Sequence, residues 1–402
     1  MGLMHLKRLK LSRFRSCHAT EVEFDSALTV LVGENNGGKS NIVDAIRLVT
    51  NPLSGRRDRF ADDEDIRRAA NPANFEIEAL FADLSEGSKG LLVSALPDPA
   101  KSEAIFGMRY EKRAPNNVRG RVTRWAGQYS SNEPEQGSTD LVRHVFLPPL
   151  RDAHHALGSS GGGRLLSLFR QFLTSEADEQ KLLAELARAS VLPDVIQRMT
   201  GDVAGALGEL TSGVRRQATQ IGFSEATLFE ISRDLRFKLG DAGVSLDDIR
   251  SSGLGYSNLL FMATVVIELT KARDADLTIF LVEEPEAHLH PQLQQLVLNF
   301  LLERARLAKT QVVPAGQSEG RIQVIVTTHS PNLAAGVAPE HLVVIRTQPC
   351  DESPPGHTVG IPVAKLGLSQ TQLEKLDRYI NVTRSSLLFG NRAILVEGIA
   401  EA

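Results

Sequence analysis

A glycine-rich stretch between a strand and a helix constrains this chain more than any other part of its sequence. The segment LTVLVGENNGGKSNIVDAI (28–46) carries Gly33 and, after four further residues, Gly38-Lys39-Ser40, which is the complete spacing of a phosphate-binding loop. Backbone N–H groups of such a loop converge on a polyphosphate, and the helix N-terminus behind it favours negative charge. Lys39 is predicted to neutralise the β and γ oxygens, and Ser40 to coordinate Mg²⁺. A chance glycine-rich turn is the alternative, which the strand-loop-helix frame disfavours.

The rest of the pattern predicts an α/β core interrupted by a helical insertion. Apolar or alternating segments predict strands at 3–11, 20–32, 75–84, 144–150, 227–239, 277–282, 322–327 and 341–346. Helical periodicity covers 40–49, 257–270 and 291–308, and also 164–222, which follows the flexible GSSGGG segment at 158–163. We expect an exposed loop or short helix at 54–70, a turn at 241–243, and surface loops around a short hairpin near 122–129. Strands that alternate with helices on both sides of the insertion predict a mostly parallel sheet.

The amino-acid composition excludes few classes of function. The net charge is −4 over 402 residues, so nucleic-acid binding cannot be argued from overall charge, although a local basic patch is compatible with it. The candidate patches are 54–60 (SGRRDRF) and 119–125 (RGRVTRW), and a solvated charged face is the alternative for each. The two cysteines, Cys17 and Cys350, predict no disulfide framework and fit a reducing cytoplasm. No apolar segment is long enough to predict a membrane span, so no membrane partner is expected.

A pair of carboxylates follows a second apolar strand. In LTIFLVEEPEAHLHP (277–291), Glu283 and Glu284 stand at the strand end. A carboxylate opposite a phosphate loop orients Mg²⁺, and a neighbouring one polarises the attacking water. We therefore assign Glu283 to the metal and Glu284 to catalysis, with a solvated helix cap as the alternative. His288 and His290 share the segment, but no carboxylate or cysteine at suitable spacing completes a zinc site.

Two further segments are expected to contact the nucleotide. The apolar strand in IQVIVTTHSP (322–331) ends near His329, which is placed to reach the γ-phosphate and take part in catalysis; a structural histidine is the alternative. The segment RSSGLGYSNLLFMA (250–263) begins with small residues and continues as an apolar helix. Its Ser252, Gly253 and Gly255 would present donors to an anion at the helix start, with a simple loop-to-helix cap as the alternative.

Taken together, these segments resemble ATP-binding-cassette (ABC) ATPases of the SMC, Rad50 and RecF type. The resemblance is closer to the OLD (overcoming-lysogenization-defect) family of ATP-dependent nucleases, which carry an EEPEAHLHP block like 283–291 and a TTHSP block like 327–331. It covers roughly 1–90 and 225–402, and it implies an ABC-type fold, ATP and Mg²⁺ as cofactors, and DNA as a partner. It also implies a nucleotide site that contains Gly33, Asn35, Asn36, Gly37, Gly38, Lys39, Ser40 and Asn41, with Arg13 or Arg15 of LKLSRFRS (9–16) beside it.

The same resemblance implies a homodimer whose geometry changes with ATP binding and hydrolysis. ATP would lie between the phosphate loop of one chain and Ser252, Gly253 and Gly255 of the other, and 158–225 would form the dimerisation region. Three features depart from transporter cassettes: the signature reads SSGLGYS, Glu283 replaces an aspartate, and His290 stands at the usual D-loop aspartate. No glutamine is clearly a Q-loop residue, Gln128 being a weak candidate, and Arg151 resembles a family arginine whose role we do not assign.

The segment RAILVEGIAEA (392–402) resembles the first strand of a Toprim nuclease domain. Glu397 would then serve a Mg²⁺-dependent cleavage centre, and a solvated strand-end glutamate is the alternative. No Asp-x-Asp pair follows Glu397 in the sequence, so the site would be incomplete, the chain is expected to be truncated here, and nuclease activity is not expected. The implied domains are 1–157 and 226–390 for the ATPase, 158–225 for the insertion and 391–402 for the Toprim strand.

Three functions remain open. The first is the ATPase part of an OLD-type DNA nuclease. The second is a self-contained RecF-like ATPase that acts on DNA without cleaving it. The third is a regulatory nucleotide switch without a nucleic-acid partner, which a lack of ATP-dependent DNA binding at low salt would favour.

Overall fold

The computed structural model describes a defined part of the chain. The described residues are 4–53, 55, 57, 59–68, 70–112, 120–149, 169, 172–173, 175–189, 227, 238–239, 247–248, 254–271, 275–287, 289–310, 318, 320–349, 356–380 and 384–390. The chain forms two compact units, one made of Met1–Arg151 with Ala272–Ala402 and the other of Asp152–Lys271.

Strands and helices alternate through the first unit. The strands among the described residues of both units are β1 (His5–Phe14), β2 (Cys17–Glu23), β3 (Leu28–Gly33), β4 (Asn51–Pro52), β5 (Asn74–Ala82), β6 (Glu103–Glu111), β7 (Arg121–Ala126), β8 (Val142–Leu147), β9 (Lys238–Leu239), β10 (Asp247–Asp248), β11 (Leu277–Glu283), β12 (Arg321–Thr328), β13 (Leu342–Gln348) and β14 (His357–Pro362). The helices are α1 (Lys39–Val49), α2 (Glu86–Leu91), α3 (Glu176–Ala189), α4 (Leu254–Lys271), α5 (Pro291–Thr310), α6 (Pro331–Ala335) and α7 (Gln370–Tyr379). Short 3₁₀ helices occur at Asp63–Asp65, Val93–Ala95, Ser138–Leu141, Pro339–His341, Val363–Lys365 and Arg384–Phe389.

A seven-stranded sheet carries the motifs found in the sequence. Its order is β14-β13-β3-β12-β11-β8-β4, and all pairings are parallel except that of β13 with β14. The predicted mostly parallel sheet is therefore confirmed, as are the helices predicted at 40–49, 257–270 and 291–308. Because β3, β12 and β11 are parallel neighbours, the loops that follow them leave the same edge of the sheet. The phosphate loop, the histidine and the acidic pair consequently lie side by side.

A second, antiparallel sheet has the order β2-β1-β5-β6-β7, and the sequence did not predict it. The prediction of one strand at 20–32 is wrong, because Asp25 turns the chain between β2 and β3. The Asp25 carboxylate accepts hydrogen bonds from the N–H groups of Ala27 (2.7 Å) and Leu28 (3.2 Å), as aspartate commonly does in turns. The hairpin predicted near 122–129 begins earlier in the chain: β7 is its second strand and pairs antiparallel with β6, the strand before it.

Helix α1 joins the two sheets through its apolar side chains. Ile42, Val43 and Ile46 are fully buried and belong to one hydrophobic cluster with residues of both sheets. Because these residues recur at helical spacing, one face of α1 meets the core while its first turn follows the phosphate loop. The position of Lys39 and Ser40 is thus fixed by packing as well as by the loop.

The segment 54–70, for which we predicted an exposed loop or a short helix, contains the 3₁₀ helix Asp63–Asp65, but two of its charged residues are buried. Asp65 and Arg67 are only 2% and 3% exposed. The Arg67 side chain donates hydrogen bonds to the carbonyl oxygens of Ser16 (3.0 Å) and Gly356 (2.7 Å). These two residues are buried because each finds a partner of opposite charge or a backbone acceptor.

The second unit is described only in part. Helix α3 lies within the predicted helical segment 164–222, and β9 and β10 form an antiparallel pair on either side of the predicted turn at 241–243, which itself lies outside the described residues. Most of 158–225 also lies outside them, so the predicted domain boundaries and the dimerisation role stay predictions. Among the described helices, none is both long and apolar enough to span a membrane.

One buried amide links the two sheets. Gln323 of β12 is fully buried. Its Oε1 accepts from the Leu6 N–H (2.8 Å), and its Nε2 donates to the carbonyl oxygens of Leu6 (2.9 Å) and Asp25 (2.8 Å). The pairing of β1 with β2 starts at Arg8, so β2 does not reach the backbone N–H and C=O of Leu6. The Gln323 amide bonds to these two groups in place of a strand.

We expect Gln323→Leu to lower the free energy of unfolding by about 3 kcal/mol, because it leaves buried backbone groups without hydrogen-bond partners. Urea titration followed by circular dichroism measures this. Thr278→Val in β11 is a matched control, since the buried Thr278 hydroxyl has no hydrogen-bond partner among the described residues. Equal stability of the Gln323→Leu variant and the unaltered protein would show that the link contributes nothing.

Candidate functional site

The phosphate loop leaves the sheet at the end of β3 and enters α1 at Lys39. Gly33, Asn36 and Gly38 have positive φ angles of 151°, 60° and 106°, which explains the glycines at both ends of the loop. A Cβ atom on Gly33 would lie 2.1 Å from the Ile345 carbonyl oxygen of the neighbouring β13. The strand-loop-helix arrangement is the one predicted from the sequence.

Lys39 is held inside the loop. Its Nζ donates to the carbonyl oxygens of Gly33 (2.8 Å) and Glu34 (2.7 Å), and it lies 3.4 Å from Nδ1 of His329. Burial lowers the pKa of Lys39 to about 8, although the carboxylates of Glu284, Glu286 and Glu34 oppose this effect. A polyanion in the cleft would favour the charged form of this ammonium group.

Glu283 ends β11 next to the first turn of α1. Burial raises its pKa, while a hydrogen bond with the Ser40 side chain opposes the rise. Oxygen atoms of hydroxyl and carboxylate groups are the ligands that Mg²⁺ prefers. The pair Ser40 and Glu283 therefore fits the predicted magnesium site.

Glu284 leaves the strand with a strained backbone. Its φ is 44°, a conformation that non-glycine residues adopt rarely and that is concentrated at functional sites. Its N–H donates to the Thr327 carbonyl oxygen (3.0 Å), and its Oε1 lies 3.5 Å from Nε2 of His329. The turn thus directs the carboxylate towards the histidine.

His329 stands between the lysine and the acidic pair, one residue beyond β12. Burial and the charge of Lys39 lower its pKa, with Glu284 opposing, so the neutral imidazole is favoured at neutral pH. The backbone N–H of His329 donates to Oε1 of Glu286 (2.7 Å), which also accepts from the Thr328 hydroxyl (2.7 Å).

The structure adds two residues that sequence reasoning missed. Glu286 holds the backbone of His329, and its position two residues after Glu284 was the available signal. Ser16, in the turn between β1 and β2, lines the cleft and accepts a hydrogen bond from the Asn41 amide (2.7 Å). Nothing in the local sequence distinguishes Ser16 from any other turn serine.

A single cleft brings these groups together. It has a volume of about 740 Å³ and is lined by Ser16, Asn35, Asn36, Gly37, Gly38, Lys39, Ser40, Asn41, Glu284 and His329.

Of the two arginines left open by the sequence, Arg15 lies beside the loop. It donates to Asn41 Oδ1 (3.0 Å) and pairs with Asp44 (2.9 Å) and Asp65 (2.9 Å). Arg13 instead bonds to Asn74. Arg15 does not line the cleft; it contacts Asn41 in the first turn of α1.

Several predicted residues cannot be related to this cleft. Ser252, Gly253, Arg151 and Glu397 lie outside the described residues. Gly255 lies in α4, which belongs to the second unit. Gln128 is exposed and donates to the Pro97 carbonyl oxygen (3.2 Å).

The two candidate basic patches meet at the end of α1. Arg57 and Arg124 both donate to the Leu48 carbonyl oxygen (3.3 and 3.0 Å), and Arg59 pairs with Asp44 and Asp65. The carbonyl groups at a helix C-terminus attract cations. Arg57 and Arg124 are therefore helix contacts, whereas Arg121 of the second patch is exposed.

The fold and the cleft are those of a P-loop ATPase domain: a phosphate loop, an acidic strand end and a histidine strand end share one edge of a mostly parallel sheet. The model of the AAA ATPase domain matches residues 4–112 and 195–334, more than half of the chain. The chain belongs to this family.

Two curated relatives are similar over nearly the whole chain. The OLD nuclease of Thermus scotoductus is 25% identical over 408 residues, which cover 98% of this chain and 72% of the relative. The Old nuclease of Escherichia phage P2 is 23% identical over 434 residues, with 99% and 68% covered. Among solved structures, the Smc head domain with an extended coiled coil bound to the C-terminal domain of ScpA, from Pyrococcus furiosus, aligns with a TM-score of 0.47 at 16% identity, covering 93% of this chain and all of that one.

Proposed function

We propose that this chain binds and hydrolyses ATP with Mg²⁺ and is the ATPase part of an OLD-type DNA nuclease. One observation carries the ATPase proposal: the loops after β3, β11 and β12 bring Lys39, Glu284 and His329 around one cleft. These are the parts that phosphoryl transfer requires, because its catalysis consists mainly of positioning and charge neutralisation.

Binding is assigned to the phosphate loop. Lys39 binds the β and γ oxygens, and the N–H groups from Asn35 to Asn41 surround the phosphates. Ser40 and Glu283 would hold Mg²⁺, which supplies further neutralisation of phosphate charge. Lys39 exchanges its contacts with Gly33 and Glu34 for phosphate contacts when nucleotide enters.

Hydrolysis is assigned to Glu284 and His329. The Glu284 carboxylate accepts a proton from the attacking water. The water oxygen bonds to the γ-phosphorus as the bond from that phosphorus to the leaving diphosphate breaks. The neutral His329 donates a hydrogen bond to the γ-phosphate. The strained backbone at Glu284 and the Glu286 contact to the His329 N–H fix the two groups relative to each other.

Dimerisation and DNA processing complete the proposal. Ser252, Gly253 and Gly255 of one chain would close the cleft of the other, with 158–225 as the dimer contact, and ATP turnover would change the arrangement of the dimer. The similarity to two OLD nucleases over nearly the whole chain supports DNA as the substrate class. Glu397 would belong to a Mg²⁺-dependent Toprim centre, and no cleavage by this chain is proposed. No membrane partner is proposed, and we propose a cytoplasmic location, which the two cysteines and the absence of a predicted disulfide framework support.

Phosphate release by the whole chain tests the proposal. We expect turnover that requires Mg²⁺ and stops when a chelator is added. Linear DNA should increase the turnover rate or change how that rate depends on salt, because protein contacts with DNA phosphates release counterions. Absence of Mg²⁺-dependent turnover both with and without DNA would overturn the ATPase assignment. Turnover without DNA binding at low salt would leave the nucleotide switch as the function.

A further inference from the structure

A threonine far along the chain contacts the back of the phosphate loop. Thr358 of β14 is fully buried. Its Oγ1 donates to the Gly37 carbonyl oxygen (3.1 Å), and its N–H donates to the Ser16 carbonyl oxygen (3.0 Å). Thr358 therefore joins the strand β14, the β1–β2 turn and the loop.

The direction of each hydrogen bond in this group follows from its donors. A hydroxyl has one proton, and a carbonyl oxygen only accepts. Thr358 gives its proton to Gly37, so in the 2.7 Å contact between the two hydroxyls Ser16 donates to Thr358. Ser16 in turn accepts from the Asn41 amide (2.7 Å). An ordered chain of donors thus runs from Asn41 to Gly37.

The loop also packs directly on Thr358. A Cβ atom on Gly38 would lie 2.4 Å from Thr358 Oγ1 and 2.7 Å from its Cγ2. Because Gly38 has no side chain, its backbone rests against the threonine. The contact limits how far this part of the loop can retreat from the cleft.

Holding the Gly37 carbonyl has a consequence for nucleotide binding. The Gly37 C=O and the Gly38 N–H belong to one peptide plane and point in opposite directions when the peptide is trans. With the carbonyl fixed on Thr358, the Gly38 N–H is directed away from β14, and Gly38 itself lines the cleft. One buried hydroxyl thereby orients a phosphate-binding donor.

We propose that Thr358 is a positioning residue for ATP, which keeps the Gly37–Gly38 peptide oriented with its N–H towards the phosphates. The inference rests on the proposed ATP binding. Thr358→Val removes the hydroxyl and keeps the shape, Thr358→Ser keeps the hydroxyl, and Thr278→Val is the matched control in β11.

Equilibrium titration with a fluorescent ATP analogue measures the effect. We expect Thr358→Val to raise the dissociation constant about tenfold, because one hydrogen bond is lost and a buried carbonyl is left unsatisfied. Thr358→Ser and Thr278→Val should stay within about twofold of the unaltered protein, and KM for ATP should change more than kcat. A merely structural role predicts instead no change in ATP affinity once the variant is folded.

Two results separate this inference from the proposed function. If the unaltered chain binds ATP and Thr358→Val binds it equally well, the positioning role is wrong and the ATPase assignment stands. If the unaltered chain binds no ATP, both are overturned. Should Thr358→Val fail to fold, hydrogen exchange of the unaltered protein decides: ATP should slow exchange at 357–362, since coupling between two sites is reciprocal, and unchanged exchange there would refute the role.

Discussion

Lys39→Ala abolishes measurable ATP binding: we expect the dissociation constant to rise at least about 100-fold, because charge-assisted hydrogen bonds to phosphate are the strongest contacts in the site. Lys39 is only 4% exposed, and burial desolvates its ammonium group. Nucleotide therefore gains a preorganised cation without bearing the full cost of removing its water.

Isothermal titration calorimetry with ATP and Mg²⁺ measures this loss. The control is Lys7→Ala, which removes an ammonium group that pairs with Glu103 (2.9 Å) and is 46% exposed; it should bind ATP normally. Thermal unfolding without nucleotide should show that the Lys39→Ala variant is folded. ATP affinity within threefold of the unaltered protein would overturn the assignment of this loop.

The phosphate loop and the two strand ends of the site were predictable because each is formed by consecutive residues of the sequence. The spacing from Gly33 to Ser40 fixed the loop, and the apolar runs before Glu283 and His329 fixed the strands that deliver them. Since parallel neighbours end at one edge, their convergence followed from the sheet. The two acids and the histidine needed no long-range information beyond this rule.

The rest depended on contacts between distant residues. The antiparallel sheet was missed because its ladders join β1 to β5 and β5 to β6, and no local pattern states which strands pair. Arg57 and Arg124 looked solvated because charge alone does not reveal that a helix carbonyl accepts from both. Thr358 follows the phosphate loop by more than 300 residues, and its proposed positioning role depends on its hydrogen bond to the Gly37 carbonyl oxygen.

Glu284→Gln separates binding from turnover. Glutamine has nearly the same size and still hydrogen-bonds, but it does not accept a proton from water. We expect kcat to fall by about 100- to 1,000-fold, the usual contribution of a positioned general base, while the ATP dissociation constant changes less than about threefold. Single-turnover phosphate release, together with the same titration, measures both quantities.

The exposed Glu86→Gln is the matched control for the charge change, since the Glu86 side chain is 89% exposed and contacts nothing in the cleft. If the dimer proposal is correct, the Glu284→Gln variant should also accumulate as an ATP-dependent dimer in sedimentation experiments, because hydrolysis no longer releases the bridging nucleotide. Undiminished hydrolysis would remove Glu284 as the base. A tenfold loss of ATP affinity would place it among the binding residues instead, because a group that acts only on water contributes to the transition state and not to the ground state.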